Sequence, residues 1–105
     1  MSGVSTHILD TSAGRPAAGV RVRLFHAFDE IASQLTDQDG RCASLLPPNA
    51  ALAPGDYRLL FEIGPYFPTG FFPEVSVSFR IESPSARYHV PLLISPFGYS
   101  TYRGS

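Results

Sequence analysis

Two histidines near opposite ends of the chain, His7 and His89, are the side chains best suited to acid–base chemistry near neutral pH. Each lies in a segment whose residues alternate in polarity, and the alternation places each imidazole on the outer face of a strand. That outer face also carries Leu9, Pro91 and Leu93, which makes it too apolar to be left in water and indicates an interface or a binding surface. Strand parity alone leaves two interpretations open: a functional pair of imidazoles, or two ordinary polar surface residues.

The other side chains with possible chemistry have simpler interpretations. His26 follows two apolar residues at a strand end, so we expect a solvated surface group. Arg41 follows the turn at 37–40 and, taken alone, is an exposed loop arginine. Cys42 is the single cysteine and cannot form an internal disulfide, so we expect a small, semi-buried hydrophobic side chain. Two distant histidines, with only His26 as a further ligand, do not make a zinc site, and we predict no bound metal.

The residue types in the chain exclude several reaction classes. There is no lysine, so Schiff-base chemistry is excluded. No serine lies in a Gly-x-Ser-x-Gly sequence, and the candidate site has no pair of carboxylates. What remains is attack by water without a metal, assisted by an imidazole base. That chemistry suits a substrate that is already activated.

Size and charge define the general class of protein. The chain has 105 residues and a mass of 11.4 kDa, enough for one core, so we expect a single domain over 1–105. The net charge of -1 leaves no basic patch and argues against a nucleic-acid partner. No apolar run approaches the ~18 residues of a membrane span, and the first residues do not have the pattern of a secretory signal. We therefore predict a soluble, cytoplasmic protein with no membrane partner.

Alternation of apolar and polar residues recurs along most of the chain. The clearest example is 75–82, where four apolar residues face one way and two serines, an arginine and a glutamate face the other. The pattern predicts about eight strands, at roughly 4–10, 20–27, 30–36, 42–45, 57–63, 74–82, 87–95 and 98–104. Short strands at near-regular spacing, without a helical period, predict an all-β fold in which two sheets form a β-sandwich.

Three segments carry a resemblance to a known family. They are Val4–Asp10 followed by the sequence at 14–17, then Tyr88–Pro96, and finally Tyr102-Arg103-Gly104-Ser105. In this order they resemble the transthyretin-related family of 5-hydroxyisourate hydrolases, and the resemblance extends over nearly the whole chain. Because the last four residues directly follow a strand-like segment, we expect them to be held beside the folded surface instead of extending into solvent.

The resemblance also implies a fold, with one departure in this chain. Family members have two four-stranded sheets and a short helix between the fifth and sixth strands. Here that connection, Gly64–Pro73, is several residues shorter than usual and contains three prolines and two glycines. Prolines leave little room for a helical turn, so we expect the helix to be reduced or absent.

The activity that the resemblance implies is hydrolysis of 5-hydroxyisourate in urate breakdown, without a cofactor. The residues at the matching positions are His7, Arg41, His89, Tyr102, Arg103 and Ser105. His7 would deprotonate the attacking water and His89 would orient it or relay its proton, although which histidine is the base stays open. Arg41 and Ser105 would hold the substrate and stabilise the oxyanion. Tyr102 would shape the pocket, and Arg103 would contribute to substrate binding.

The resemblance further implies a homotetramer, built as a dimer of dimers with its pockets at the dimer–dimer contact. The alternative function is a transthyretin-like carrier that uses the same channel to hold a small hydrophobic ligand. Carriers of that kind lack the Tyr-Arg-Gly-Ser ending and both channel histidines. The presence of all three features here favours the enzyme.

Overall fold

Short alternating segments form nine strands in the computed structural model, which describes residues 3–47 and 50–105. In chain order they are β1 (Gly3–Asp10), β2 (Arg15–Pro16), β3 (Arg21–His26), β4 (Asp29–Leu35), β5 (Arg41–Cys42), β6 (Gly55–Glu62), β7 (Val75–Ile81), β8 (Arg87–Ser95) and β9 (Gly98–Thr101). The described residues contain no α-helix, and none of their segments is a helix long and apolar enough to cross a membrane.

The strands form two sheets that enclose one apolar core. One sheet has the order β2-β1-β8-β9 with β5 also beside β1, and the other has the order β4-β3-β6-β7. Inward-facing positions are strongly apolar, so each sheet buries one face against the other. Ile8 and Leu92 from the first sheet and Leu24 and Phe61 from the second are completely buried. The predicted two-sheet, all-β sandwich is confirmed.

Only one pair of neighbouring strands is parallel among those described. β1 and β8 run side by side from Gly3↔Arg87 to Asp10↔Ile94, and the other pairs are antiparallel. The buried hydroxyl of Thr6 donates to the backbone oxygen of Val90 at 2.6 Å and ties these two strands together beneath the sheet. Because β1 is near the start of the chain and β8 is near its end, this pairing brings outward-facing residues from both ends of the sequence onto one surface.

Several strand boundaries differ from the sequence-based expectation. Arg15–Pro16, which lies outside the predicted strands, forms the short strand β2 against the end of β1. The segment expected at 42–45 is the two-residue strand β5, and the last strand ends at Thr101, not at 104. Two-residue strands have no alternation to detect, because a period of two needs at least four residues to be visible.

The connection between β6 and β7 contains turns and no helix, as its shortened, proline-rich sequence predicts. The amide of Phe67 donates to the backbone oxygen of Ile63 at 2.8 Å, and the amide of Phe71 donates to that of Pro96 at 2.7 Å. The loop is therefore attached to the turn between β8 and β9.

His26 differs from its predicted role as a freely solvated group. The register of β3 and β6 pairs it with Tyr57, whose ring is buried. The two rings stack with centroids 4.2 Å apart and an angle of 10° between their planes. Because paired residues project to the same face of a sheet, His26 lies half-buried at the edge of the core.

A buried carboxylate, Asp10, joins the end of β1 to the loop between β6 and β7. Its Oδ1 accepts hydrogen bonds from the amides of Ser12 and Ala13 and from the Ser12 hydroxyl, and its Oδ2 accepts one from the Tyr66 hydroxyl at 2.8 Å. Burial alone would raise the pKa of this carboxyl group, but these hydrogen bonds outweigh it and lower the pKa below its usual 3.8. Asp10 therefore remains ionised in the native protein at neutral pH.

Candidate active site

Strands β5, β1 and β8 bring three of the predicted site residues to one outer sheet surface. In the register of the sheet, His7 on β1 lies directly opposite Arg41 on β5. On the other side of β1, Ser5 lies opposite His89 on β8. Paired residues share a face, so both imidazoles and the Arg41 guanidinium belong to the same surface. This convergence joins residues that are more than 80 positions apart in the sequence.

The imidazole of His89 is held in a defined environment. Its Nδ1 lies 2.8 Å from the Ser5 hydroxyl oxygen, which leaves Nε2 as the other ring nitrogen. Partial burial, followed by the positive charge of Arg41 and the charge of His7, lowers the pKa of His89 below 6.5, and a hydrogen bond to the Ser5 backbone only partly opposes the shift. The neutral imidazole, which can accept a proton, is therefore the form present near pH 7.

The C-terminal segment folds back over β8, as the sequence predicts. The amide of Gly104 donates to the backbone oxygen of His89 at 2.8 Å, and the hydroxyl of Thr101 donates to that of Pro91 at 2.7 Å. The Arg103 guanidinium lies 4.8 Å from the centre of the Tyr88 ring, within the range of a cation–π contact. Backbone and side chain both anchor this segment to the folded protein.

The same segment changes the apolar surface expected around the histidines. Pro91 was expected on the exposed outer face with Leu9 and Leu93, but it is buried. A Cβ at Gly104 would lie 3.1 Å from the Pro91 ring, so the terminal segment is packed directly on this proline. Leu9 and Leu93 remain half-buried. Part of the apolar outer face is thus covered by the C-terminal segment of the same chain.

Two shallow concavities meet at His89. The first, of about 240 Å³, is lined by Ser5, Thr6, Arg41, Ala43, Arg87, His89 and Ser105. The second, of about 260 Å³, includes Tyr102 and Arg103 beside His89. The structure therefore brings Arg41, His89 and Ser105 around one space, and Tyr102 and Arg103 around the adjoining one. His7 lines neither of these two spaces, but its charge acts on His89.

Sequence reasoning assigned no role to four residues of the first concavity, Ser5, Thr6, Ala43 and Arg87. Alternation does place Ser5 on the same face as His7, two positions away, so a signal for its location was present. Its pairing with His89 depends on the parallel register of β1 and β8, which the alternation of either strand cannot reveal.

Cys42 lies close to the site but faces the core. It is paired with Thr6 and buried, more completely than the predicted semi-buried position. Burial, with a smaller contribution from the charge of Asp37, raises the pKa of the thiol to about 11. The thiol is therefore protonated at neutral pH and is not a nucleophile. Among residues 3–47 and 50–105, no three His, Cys, Asp or Glu side chains are grouped as metal ligands would be.

The chain belongs to the HIUase/Transthyretin family, whose family model matches residues 4–104. It is 52% identical over 110 residues to the 5-hydroxyisourate hydrolase of Salmonella dublin, in an alignment that covers 97% of this chain and 80% of that protein. The sequence-based resemblance is therefore confirmed.

Solved structures give the same relationship. The structure of Klebsiella pneumoniae 5-hydroxyisourate hydrolase superimposes with a TM-score of 0.89 at 40% identity, covering 100% of this chain and 94% of that one. Sea bream transthyretin in complex with thyroxine superimposes with a TM-score of 0.85 at 28% identity, covering 96% of this chain and 93% of that one. The fold is thus shared by an enzyme and by a ligand-binding protein. The choice between the two functions therefore has to be argued from the residues of the site.

Proposed function

We propose that this protein is a 5-hydroxyisourate hydrolase that opens the ring of its substrate to give 2-oxo-4-hydroxy-4-carboxy-5-ureidoimidazoline during urate degradation. The observation that carries the proposal is the grouping of the His89 imidazole, of lowered pKa, with the Arg41 guanidinium and Ser105 around one concavity. The relatives named for this activity support it. The whole of 1–105 serves as one hydrolase domain.

The reaction is addition of water to a ring amide. A histidine removes a proton from water, the water oxygen bonds to the C6 carbonyl carbon, and a tetrahedral oxyanion forms. The N1–C6 bond then breaks, N1 takes up a proton, and C6 becomes a carboxylate. His7 is the proposed base, and His89 orients the water or relays its proton through the imidazole nitrogen that Ser5 leaves free.

The remaining residues bind and polarise the substrate. The planar, permanently charged guanidinium of Arg41 fits the imide-like edge of a purine-derived ring and the oxyanion that develops from it. Ser105 offers hydrogen-bonding groups to the same space, and Tyr102 and Arg103 line its extension. The reaction proceeds without a cofactor, because the substrate is already activated.

The working assembly is a homotetramer in the cytoplasm, arranged as a dimer of dimers. Each concavity is shallow and open on one side, so a single chain excludes water poorly. A partner subunit placed against the histidine-bearing surface supplies the opposite wall, and the half-buried Leu9 and Leu93 provide apolar contact area there.

The alternative function is that of a small-ligand carrier, favoured by the similarity to transthyretin in complex with thyroxine. The residues at the site argue against it. The first concavity is lined by two arginines, a histidine and two serines, which suits a small polar ring better than a large hydrophobic ligand.

A ring-opening assay distinguishes the two functions. Freshly prepared 5-hydroxyisourate is mixed with the protein, and the decay of its ultraviolet absorbance is compared with the spontaneous rate. An enzyme accelerates the decay in proportion to protein concentration, and Arg41→Gln strongly reduces the acceleration. A decay at the spontaneous rate, with saturable binding of a hydrophobic fluorophore at the same surface, would favour the carrier.

A further inference from the structure

We propose that Ser5 is the positioning residue for His89, holding its Nδ1 so that Nε2 alone faces the reacting water or substrate. This inference rests on the proposed hydrolytic function for its consequence, although the contact itself does not depend on it. Ser5 is expected to touch the imidazole and not the reacting atoms, so it acts through His89.

The first argument is geometric. Ser5 and His89 are directly paired in the parallel register of β1 and β8, and their polar atoms are 2.8 Å apart. That distance is within the range of a hydrogen bond. Both residues lie on strands of the same sheet, so the contact is fixed by rigid elements and not by a mobile loop.

The second argument is electrostatic. The positive charge of Arg41 disfavours the protonated imidazole of His89, so an imidazole that takes up a proton during the reaction would be driven away from the guanidinium. The torsion that turns an imidazole is broad and weakly restricted. The hydrogen bond between Ser5 and His89 opposes this rotation and keeps the ring in the concavity that Arg41 also lines.

The third argument concerns the identity of the free nitrogen. A serine hydroxyl both donates and accepts hydrogen bonds, so Ser5 can pair with Nδ1 of either neutral tautomer. In both cases Ser5 occupies Nδ1, and Nε2 is the nitrogen available for proton exchange. Loss of the Ser5 hydroxyl would leave Nδ1 without this partner and the ring free to turn, so that only a fraction of the molecules would present Nε2 to the substrate.

Other titratable groups surround His89 and must be held constant in the test. Arg41 on β5 and His7 on β1 act on the charge of its ring. Further titratable residues line the same two concavities: Arg80 on β7, Arg87 on β8, and Tyr102 and Arg103 in the C-terminal segment. A substitution at Ser5 leaves all of these residues unchanged.

The decisive experiment compares Ser5→Thr with Ser5→Val in the full chain. Threonine and valine have nearly the same shape and both suit a strand, but only threonine retains the hydroxyl. We expect kcat of Ser5→Val to fall about tenfold, with KM nearly unchanged, and Ser5→Thr to retain most of the activity. Ser33→Ala, which removes an exposed hydroxyl from β4 in the other sheet, is the control and should match the wild type.

A second measurement separates positioning from a merely structural role. The ¹⁵N chemical shift of Nδ1 in the His89 ring reports whether that nitrogen is hydrogen-bonded, without any need for substrate. We expect similar Nδ1 shifts in the wild type and in Ser5→Thr, and a displaced Nδ1 shift in Ser5→Val, together with a displaced acid limb of the pH–rate profile.

The outcomes are distinguishable from failure of the proposed function. If the wild type hydrolyses 5-hydroxyisourate and Ser5→Val does so equally well, with unchanged ring-nitrogen shifts, the positioning role is wrong. If the wild type is inactive on this substrate, the proposed function is wrong, and the nitrogen shifts still decide whether Ser5 holds His89. Equal losses in Ser5→Thr and Ser5→Val would indicate that crowding, not the hydroxyl, is responsible, and would also overturn the proposal.

Discussion

The backbone of Gly104 lies directly against the imidazole ring of His89. Its amide donates to the His89 backbone oxygen at 2.8 Å, and a Cβ built on Gly104 would lie only 2.4 Å from Cδ2 of the ring. Real Cβ atoms essentially never approach another heavy atom so closely. Glycine is therefore required here by space: a larger residue would have to move either the ring or the terminal segment.

Gly104→Ala is expected to reduce kcat/KM at least tenfold while leaving the fold intact. The added methyl group displaces His89 or lifts the segment that carries Ser105, and small errors in the placement of catalytic groups are costly. The measurement is the ring-opening rate together with the circular dichroism spectrum. Gly98→Ala is the matched control, because its Cβ meets only the Ser95 hydroxyl, at an ordinary 3.7 Å. Equal activity in both variants would refute the steric argument.

Replacement of either histidine should reduce turnover far more than it affects stability. We expect His7→Ala and His89→Ala each to lower kcat by a factor on the order of 10² to 10⁴, which is the usual contribution of a general acid or base. Both side chains project from an outer sheet face, so the unfolding midpoint in urea should change little. Turnover like that of the wild type in either variant would remove that residue from the mechanism.

The charge of Arg41 should control the pKa of His89. Burial comes first among the causes that lower this pKa, and the repulsion from Arg41 comes next. Arg41→Gln removes the repulsion, so the pKa of His89 should rise. On acidification, the His89 ring of Arg41→Gln should therefore become protonated at a higher pH than the same ring in the wild type. An NMR titration of the His89 ring measures the shift, and Arg58→Gln in the other sheet should leave it unchanged.

A charge on the histidine-bearing surface should prevent assembly and activity together. Leu93→Arg places a guanidinium in the surface where two dimers are proposed to meet, and an unpaired charge is costly in a desolvated contact. Light scattering should show a particle smaller than four times 11.4 kDa, and the ring-opening rate should fall to near the spontaneous value. A fully active monomer at micromolar concentration would show that one chain forms the whole pocket.

The hydrogen bond between Tyr66 and Asp10 should stabilise the fold in a manner that depends on pH. Tyr66→Phe leaves Oδ2 of a buried carboxylate without this donor, and we expect a loss of about 1.5 to 3 kcal/mol in the free energy of unfolding at pH 7. The folded state lowers the pKa of Asp10, so the stabilisation exists above about 3.8 and disappears as the pH falls through the folded value.

Urea unfolding at several pH values measures this effect. The difference between Tyr66→Phe and the wild type should shrink in acid, while Tyr99→Phe, which changes a ring that is 44% exposed, should have little effect at any pH. A difference that stays constant even as the pH falls well below 3.8, over the range in which the protein remains folded, would contradict the assigned role of the Asp10 charge.

Much of the fold could be predicted from the sequence, because long strands with one buried face have a visible period. The segments that became β1, β7 and β8 show this alternation clearly. The contact of Tyr66 with Asp10 could not be predicted, since the partners are 56 positions apart and no local pattern relates them. The stacking of His26 on Tyr57 was missed for the same reason, because it depends on the register of β3 and β6.

The candidate site was predicted unevenly. Motifs located His7, Arg41, His89 and the terminal segment, and the structure brings most of them together around His89. The Ser5 partner of His89 was set by the pairing of two strands, which a single sequence does not encode in any local way. The burial of Pro91 followed from the packing of the terminal segment on it, which is equally non-local.

The parallel pairing of β1 with β8 has a consequence for how this protein is made. The contact between Ser5 and His89 closes a loop of 84 positions, and parallel strands so far apart form late because the chain must first lose the entropy of that loop. During translation, β1 leaves the ribosome before β8 has been synthesised, so the edge of β1 that pairs with β8 has no partner until then. A chain that lacks β8 does not contain His89, so completion of this one sheet must precede both the assembly of subunits and the appearance of activity.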